Sequence, residues 1–381
     1  MRVGIVGGKL QGIEAVYLSR KAGYSNVLID KDTGTPASYL SDCSQNIDVL
    51  RRPSEVRKVL QEVDVVIPAL EEPTVVRELS NICRSINIPL AFDSHAFSIT
   101  YNKSKSKTFL ERSNIPIPRH YPNAAFPVIV KPVSQSGGKG VSRIDNHREL
   151  ESRVRKSLRL SEPIVIQEFL EGTNLSLEVM GDGEKYDTYL TTELGFDEKF
   201  SCSEVVFPSS VPVSAVNELE RLGESIGRRL NLKGLTDVQA ICSDEGLRII
   251  EINARLPSQT PTVVYHASGI NLLEFLVKMF VNGKLPGRRP SSYNAVLYTH
   301  FRVLNGWLSQ IGERVMSNAR NLTILQGLFG ANEVITNLEH TPNNAVMTVI
   351  FKDTFSDRAR KRFKAFMEEL TRDFRLKVKS R

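Results

Sequence analysis

The chain has 381 residues, a net charge of +7, 41% hydrophobic and 24% charged content, which is the composition of an ordinary globular protein with room for two or three domains. No apolar run approaches the roughly 20 residues of a membrane helix, and MRVGIVGG reads directly as a strand, so neither a membrane partner nor a secretory leader is expected. Cys43, Cys83, Cys202 and Cys242 form no CxxC pair and no His-linked cluster, which argues against a disulfide framework or structural zinc and for a reducing cytoplasm.

Residues 2–7 form a strand, and Gly7, Gly8 and Gly12 mark a tight turn into a helix running through Ala15 and Leu18. A second strand, Val27 to Ile29, ends at Asp30. This order is that of a Rossmann-type half, in which the acid can meet a ribose hydroxyl, although the spacing is GGxxxG and not GxGxxG. Val63–Leu70 reads as a buried strand and Ile88–Phe92 as another. Glu71 and Glu72 lie just past a strand end, where open α/β sheets place ligand contacts and where solvated loop acids are also common. KSKSK at 103–107 leads into a helix that the IPIP run at 115–118 ends.

From 126 to 132 the chain reads as a strand carrying Lys131, followed by SerGlnSerGlyGlyLysGlyVal (134–141) and a second strand into Ile144. A Gly/Ser loop between two strands can fold amides and hydroxyls over phosphate oxygens. It opens no helix and lacks GxxxxGK[ST], so it is not a Walker loop. The strand 163–170 runs into Gly172 and SerLeuGluVal (176–179), a hinge able to offer backbone groups to an adenine edge. Asp182-Gly183 marks a hairpin turn, strands and loops fill 187–212, and Ala215–Leu230 has the spacing of a core-facing helix.

Gln239 lies in the strand 234–241, and a turn at 243–246 lets it pair with the next strand, beside Glu251. Glu251, Asn253 and Arg255 alternate, so all three point to one face. Two oxygen ligands and a guanidinium there suit a hard cation and phosphate oxygens; the plain alternative is a solvated strand face. His266 reads as a pocket-wall or core residue, and 270–280 as an amphipathic helix. Residues 285–381 form a mixed region with strands near 295–301 and 345–351 and a basic helix from about 356, in which residue type and spacing identify no chemistry. Eleven Lys/Arg against five Asp/Glu between Phe351 and Arg381 supply six of the seven excess charges. Phe363 and Phe366 form a core-facing stripe among them, so a solvated amphipathic helix is expected here and no nucleic acid partner.

The lysines, lid, hinge and paired strands, in this order, resemble the ATP-grasp carboxylate–amine ligases. That resemblance implies an α/β ATP-grasp fold: a Rossmann-like pre-ATP-grasp domain (1–98), a small lid subdomain with a linker helix (99–180), a large subdomain with the metal site (181–284) and the mixed C-terminal region (285–381). It implies that Lys103 and Lys131 hold ATP phosphates, that Ser136 and Gly138 cover them, and that Gln167, Glu168, Phe169 and Leu170 form the adenine hinge. Gln239, Glu251 and Asn253 would ligate Mg²⁺, and Arg255 with Lys131 would act on the transferring phosphoryl group. Two departures stand out: Asn174 occupies the place of a ribose-binding glutamate, and Gln239 replaces a common carboxylate, though an amide oxygen is still a hard ligand.

GlyGlyLysLeuGlnGly (7–12), SerLeuGluVal-x-GlyAspGly (176–183) and AlaArg-x-ProSerGlnThrProThrValValTyr (254–265) are similar, within that superfamily, to the ligases of pyrrolysine formation, which join 3-methyl-D-ornithine to L-lysine. The likeness covers roughly residues 1–284 well. It implies L-lysine at Leu10, Gln11 and Glu71, and methylornithine at Ser176, Leu177, Glu178, Arg255, Ser258 and Gln259. Lys9, Asp30 and Asp48 would line the N-terminal pocket near a nucleotide. A homo-oligomer is compatible with all of this. Other readings are a different ATP-grasp ligase of dipeptide or carbamoyl type, a nicotinamide-linked oxidoreductase resting on the glycine turn, and a nucleic-acid binder resting on the basic tail.

Overall fold

The computed structural model describes residues 1–287 and 292–378. The first β-rich runs form a four-stranded parallel sheet in the order Cys43–Asn46, Ser25–Asp30, Arg2–Val6, Val65–Pro68. All but the polar edge strand Cys43–Asn46 are largely apolar on both faces because both are covered. Ile5, Leu28 and Ile67 pack towards the helix Leu10–Lys21, while Val6, Ile29 and Val66 pack towards Pro53–Leu60 and Pro73–Ser85. The helix starts at Leu10, so Gly12 lies within its first turn and not in the preceding loop. A Cβ on Gly12 would stand 2.2 Å from the Gly7 carbonyl oxygen, and Gly7 itself has φ +108. Both glycines therefore serve the close seating of this helix on its strand.

The expected strand at 88–92 is reduced to a single bridge between Val66 and Leu90. Asn87 is left-handed (φ 56) and Pro89 offers no N–H, so the ladder cannot extend.

A three-stranded antiparallel sheet follows, Ser142–Ile144, Val128–Pro132, Ile164–Glu168. The third sheet is larger. Its main path runs Gly246–Asn253, Lys233–Ser243, Thr173–Asp182, Tyr186–Phe196, Cys202–Phe207, Ala295–Leu304, Val346–Asp353, Glu333–Thr336, Thr323–Gln326. The break expected at 180 thus falls inside Thr173–Asp182, a strand that pairs wholly within this sheet. The C-terminal strands extend the same sheet through the pairing of Cys202–Phe207 with Ala295–Leu304.

Cores join these layers. The helix Val213–Leu230 buries Leu219, Ile226 and Leu230 against Leu175, Leu177 and Val238. Another core runs from Val16 and Leu18 through Leu272 and Leu276 to Met316 and Ile335, tying the N-terminal unit to the last hundred residues. The helix Ser356–Asp373 buries Phe366 and Leu370 beneath Phe351 and leaves Arg358, Arg360, Lys361 and Lys364 in solvent. Amphipathic spacing alone accounts for that arrangement. Among the described residues no helix is long and apolar enough to cross a membrane.

Candidate active site

The hairpin of Lys233–Ser243 and Gly246–Asn253 sets Gln239 directly opposite Glu251 and Asp237 opposite Asn253. Pairing fixes the face, so four polar side chains share one side of two adjacent strands. Asp237 organises them. Its Oδ2 accepts from Gln239 Nε2 (2.9 Å) and Asn253 Nδ2 (3.3 Å), and its Oδ1 accepts from the Ser176 hydroxyl (2.7 Å). A carboxylate can only accept, so it holds the NH₂ end of each amide and orients both amide oxygens away from itself. Two amide oxygens and the Glu251 carboxylate then form a donor set of the kind that suits Mg²⁺.

Two lysines flank Glu251. Lys103 Nζ stands 3.1 Å from Glu251 Oε1 and donates to the Gln135 carbonyl at 2.7 Å. Lys131 is buried on the strand Val128–Pro132. Burial brings its pKa down to about 8, with Lys103 pressing the same way and Glu251 opposing. Burial works to raise the Glu251 carboxyl, but Lys103 and Lys131 outweigh it and hold the group below its usual range. The trio is therefore set up for more negative charge than it contains.

Arg255 follows two residues after Asn253. Its Nε donates to Glu71 Oε1 at 2.6 Å, and its Nη1 lies 3.7 Å from Asp237 Oδ2. Buried Nη1 makes no hydrogen bond among the described residues, leaving a donor that a phosphoryl or carboxylate oxygen would satisfy.

A cavity of about 490 Å³ opens over this face. Lys103, Lys131, Ser136, Gly138, Gln167, Glu168, Phe169, Leu170, Gln239, Glu251, Asn253, Arg255, Ser258 and Gln259 all line it. The lid turn depends on Gly137, Gly138 and Gly140, all at positive φ. A Cβ on Gly138 would fall 2.0 Å from the Phe200 carbonyl oxygen, so the lid lies directly on that loop. In the hinge, the Glu168 carboxylate is paired with Arg119 (Nε to Oε2, 2.6 Å). The Glu168 and Phe169 amides donate to the Arg119 and Pro127 carbonyls. Arg143 lies over the Phe169 ring at 4.6 Å.

A second cavity of about 790 Å³ lies against the N-terminal unit, lined by Lys9, Leu10, Gln11, Asp30, Asp48 and Glu71. Gln11 Nε2 donates to Glu71 Oε1 at 2.7 Å. Asp30 closes the glycine turn, accepting from Gly8 N (2.6 Å) and Asp32 N (2.8 Å). Asp48 accepts from the Leu50 and Arg51 amides, and the Arg51 amide bond leads the causes that hold its carboxyl low.

Three residues of the SerLeuGlu motif sit differently from expectation. Leu177 points to the opposite face of its strand, into the core beneath the helix Val213–Leu230, because period-two alternation sends it away from Ser176 and Glu178. Ser176 and Glu178 are on the site side but fully buried, behind Asp237 and Thr260, and line neither cavity. Both Glu178 oxygens lack an ordinary hydrogen bond among the described residues. Burial, with the Asp237 charge adding to it, raises its pKa to about 8, and the nearby Thr260 hydroxyl draws it partway back.

Sequence reasoning missed four residues. Asp237 was visible in principle, two residues before Gln239 and on the same face. Glu14 caps the unforeseen helix Thr260–Ser268, accepting from Gln259 N (3.1 Å), Thr262 N (2.7 Å) and the Thr262 hydroxyl (2.8 Å). Tyr17 donates to Glu333 Oε2 (2.7 Å) and meets His266 Nε2 (2.7 Å); burial lowers the His266 pKa to about 4, so that imidazole is a neutral core group. Glu313, from the region without evident chemistry, accepts from the Ser258 hydroxyl (2.7 Å) and Gln259 Nε2 (2.5 Å) and lines both cavities.

Comparison with known proteins agrees with this geometry. Residues 100–259 match the family model of an ATP-grasp domain. The chain is 36% identical over 314 residues to a 3-methyl-D-ornithine–L-lysine ligase of Methanosarcina barkeri, covering 82% of this chain and 83% of that one. It is 33% identical, with the same coverage, to the ligase of that description from Methanosarcina acetivorans. Among solved structures, N5-carboxyaminoimidazole ribonucleotide synthetase from Thermotoga maritima superposes with a TM-score of 0.67 at 18% identity, covering 96% of this chain and 98% of that one. Biotin carboxylase from Campylobacter jejuni, solved as a β,γ-ATP complex, gives 0.74 at 14% identity, covering 97% and 91%. These two likenesses are of fold.

Proposed function

The chain belongs to the family of the 3-methyl-D-ornithine–L-lysine ligases and is an ATP-grasp ligase, and on that premise we propose that it joins the carboxyl of (3R)-3-methyl-D-ornithine to the ε-amine of L-lysine in pyrrolysine formation, releasing ADP and phosphate. The observation that carries this reading is the position of Arg255. It is the last residue of the Glu251, Asn253, Arg255 face, it has an unsatisfied donor, and it lines both cavities.

A carboxylate does not accept an amine at pH 7 without activation, so the carboxyl oxygen first takes the γ-phosphoryl of ATP and becomes an acyl phosphate. Lys103 and Lys131 offset charge on the phosphates, and Arg255 meets the transferring group. Gln239, Glu251 and Asn253 would hold Mg²⁺, which when bound would offset the negative charge of the phosphates. The lid around Ser136 and Gly138 excludes water that would hydrolyse the acyl phosphate. Ser258 and Gln259 bind the ornithine skeleton from the cavity wall, with Ser176 and Glu178 buried behind it, the latter a carboxyl that ionises when a cation binds beside it. Glu71, shared by Gln11 and Arg255, receives the lysine from the second cavity. Lys9, Asp30 and Asp48 lie farther along that cavity and shape its nucleotide-like end.

The test is mass analysis of the product from ATP, Mg²⁺, L-lysine and D-ornithine, the accessible analogue of the methylated substrate. An amide-linked dipeptide with one ADP per bond is expected. ADP formed without that dipeptide, or a different preferred amino-acid pair, would overturn the substrate assignment.

A further inference from the structure

The two cavities meet at a short wall formed by Ser136 and Gly137 of the lid on one side and Arg255, Ser258 and Glu313 on the other, since each of these residues faces both. In the ligase reading the acyl phosphate forms at Arg255 and lysine approaches from Glu71, so the new bond is made at this wall. A lysine side chain has an ordinary pKa of about 10.4 and arrives as an ammonium with no electron pair to donate. One proton must leave before attack.

The carboxylates around the wall differ in what they can accept. Glu71 is held in an ion pair with Arg255, which with Gln11 donates to its Oε1, and Asp237 accepts from the two amides and Ser176. Glu178 lines neither cavity. Glu313 is placed otherwise. Its backbone is pinned: the Gly312 amide donates to Asp197 Oδ2 at 3.1 Å, and a Cβ on Gly312 would strike Ser201 at 2.2 Å. Ser258 and Gln259 both donate to Oε2, which fixes the rotamer. Oε1 turns towards the lid and stands 3.7 Å from where a Cβ on Gly137 would be. One oxygen is anchored and the other faces the junction.

We propose that Glu313 Oε1 is the proton acceptor for the attacking ε-ammonium, an inference that rests on the ligase reading. The N–H bond breaks and its electron pair stays on nitrogen, while an O–H bond forms on Glu313. Nitrogen attacks the acyl carbon, and the carbon–oxygen bond to phosphate breaks with its electron pair on phosphate. The second nitrogen proton goes to that phosphate, which leaves as hydrogen phosphate, and Glu313 returns its own proton to water. Burial, with Glu71 adding repulsion, raises the Glu313 carboxyl above its usual range against the pull of Ser258, Gln259 and Arg255. A conjugate acid nearer the working pH makes a better acceptor.

The experiment compares the full chain with Glu313→Gln, using ATP, Mg²⁺, D-ornithine and either lysine or hydroxylamine as nucleophile. Hydroxylamine is uncharged at pH 7 and needs no proton acceptor. Glu313→Gln should form hydroxamate within about 3-fold of the native rate but lose lysine-dependent dipeptide formation by about 100-fold or more at pH 7. The KM for lysine should move little, the deficit should shrink as pH rises towards the ammonium pKa, and Glu313→Asp should recover part of the rate. Dipeptide formation near the native rate overturns the proposal. So does a parallel loss of hydroxamate, which would make Glu313 a donor-binding or structural residue. Absence of hydroxamate with the native chain sinks the ligase reading, and this inference with it.

Discussion

Replacing Glu178 with Gln should stabilise the fold while removing function. Glu178 is fully buried on Thr173–Asp182, opposite Asp237, and burial followed by the Asp237 charge moves its pKa from 4.5 to about 8. The unfolded chain loses this proton near 4.5 and the folded chain keeps it to about 8, so in that window the native state binds more protons than the unfolded one. Stability from this group is therefore complete below about 4.5 and declines as pH rises to about 8. At pH 7 the decline spans about two and a half pH units, at about 1.4 kcal/mol each, or about 3 kcal/mol. Gln mimics the protonated acid in shape and cannot ionise. Glu178→Gln should then be about 3 kcal/mol more stable than the native chain at pH 7, with the gap closing towards pH 5. Urea denaturation of both proteins at half-unit steps from pH 5 to 8 measures it. Glu14, raised by burial to about 7, is present in both and cancels in the difference. A gap that does not change with pH, or a variant less stable at pH 7, refutes the reasoning. The same variant should lose ornithine-dependent ADP release, since Gln cannot ionise to meet a bound ammonium, whereas a cation seated beside Glu178 favours its charged form.

Glu251→Gln should abolish ATP-dependent phosphate release while the far-UV circular dichroism stays native; near-normal turnover would remove Glu251 from the metal set. Gly138→Ala places a Cβ 2.0 Å from the Phe200 carbonyl oxygen at φ +71, so the lid cannot close as drawn. Steady-state kinetics should show kcat reduced at least about tenfold, with the melting temperature nearly unchanged because the strain is confined to a surface turn. Phe366→Ala empties a site between Phe351 and Phe329, whose rings lie 5.7 and 6.1 Å away. Denaturant titration should show a loss of about 3–5 kcal/mol, and a loss below about 1 kcal/mol would mean that the basic helix is not part of the core.

Local pattern carried much of the site. Alternation put Glu251, Asn253 and Arg255 on one face, and the short turn at 243–246 paired the two strands; the register of that turn alone leads to Ile250, and a bulge between Gln239 and Ala240 shifts Gln239 by one residue to stand opposite Glu251. The same rule, applied to SerLeuGlu, would have sent Leu177 to the far side. The Gly-rich lid and the basic, Phe-striped helix were likewise legible, since each depends on residue type within a few positions. Periodicity says which way a side chain points and nothing about what stands across from it. Tertiary structure decided those partners. Arg255 meets Glu71 across 184 residues, Glu14 caps a helix 248 residues away at Thr262, and Glu313 reaches Gln259 from a region with no motif. These contacts exist because the N-terminal helix and the last hundred residues share one core with the metal-face hairpin's domain. The sequence by itself determined which groups could bind phosphate and a cation; only the packing of distant elements decided which carboxylates stand free at the junction of the two cavities, because burial and pairing are properties of neighbours in space.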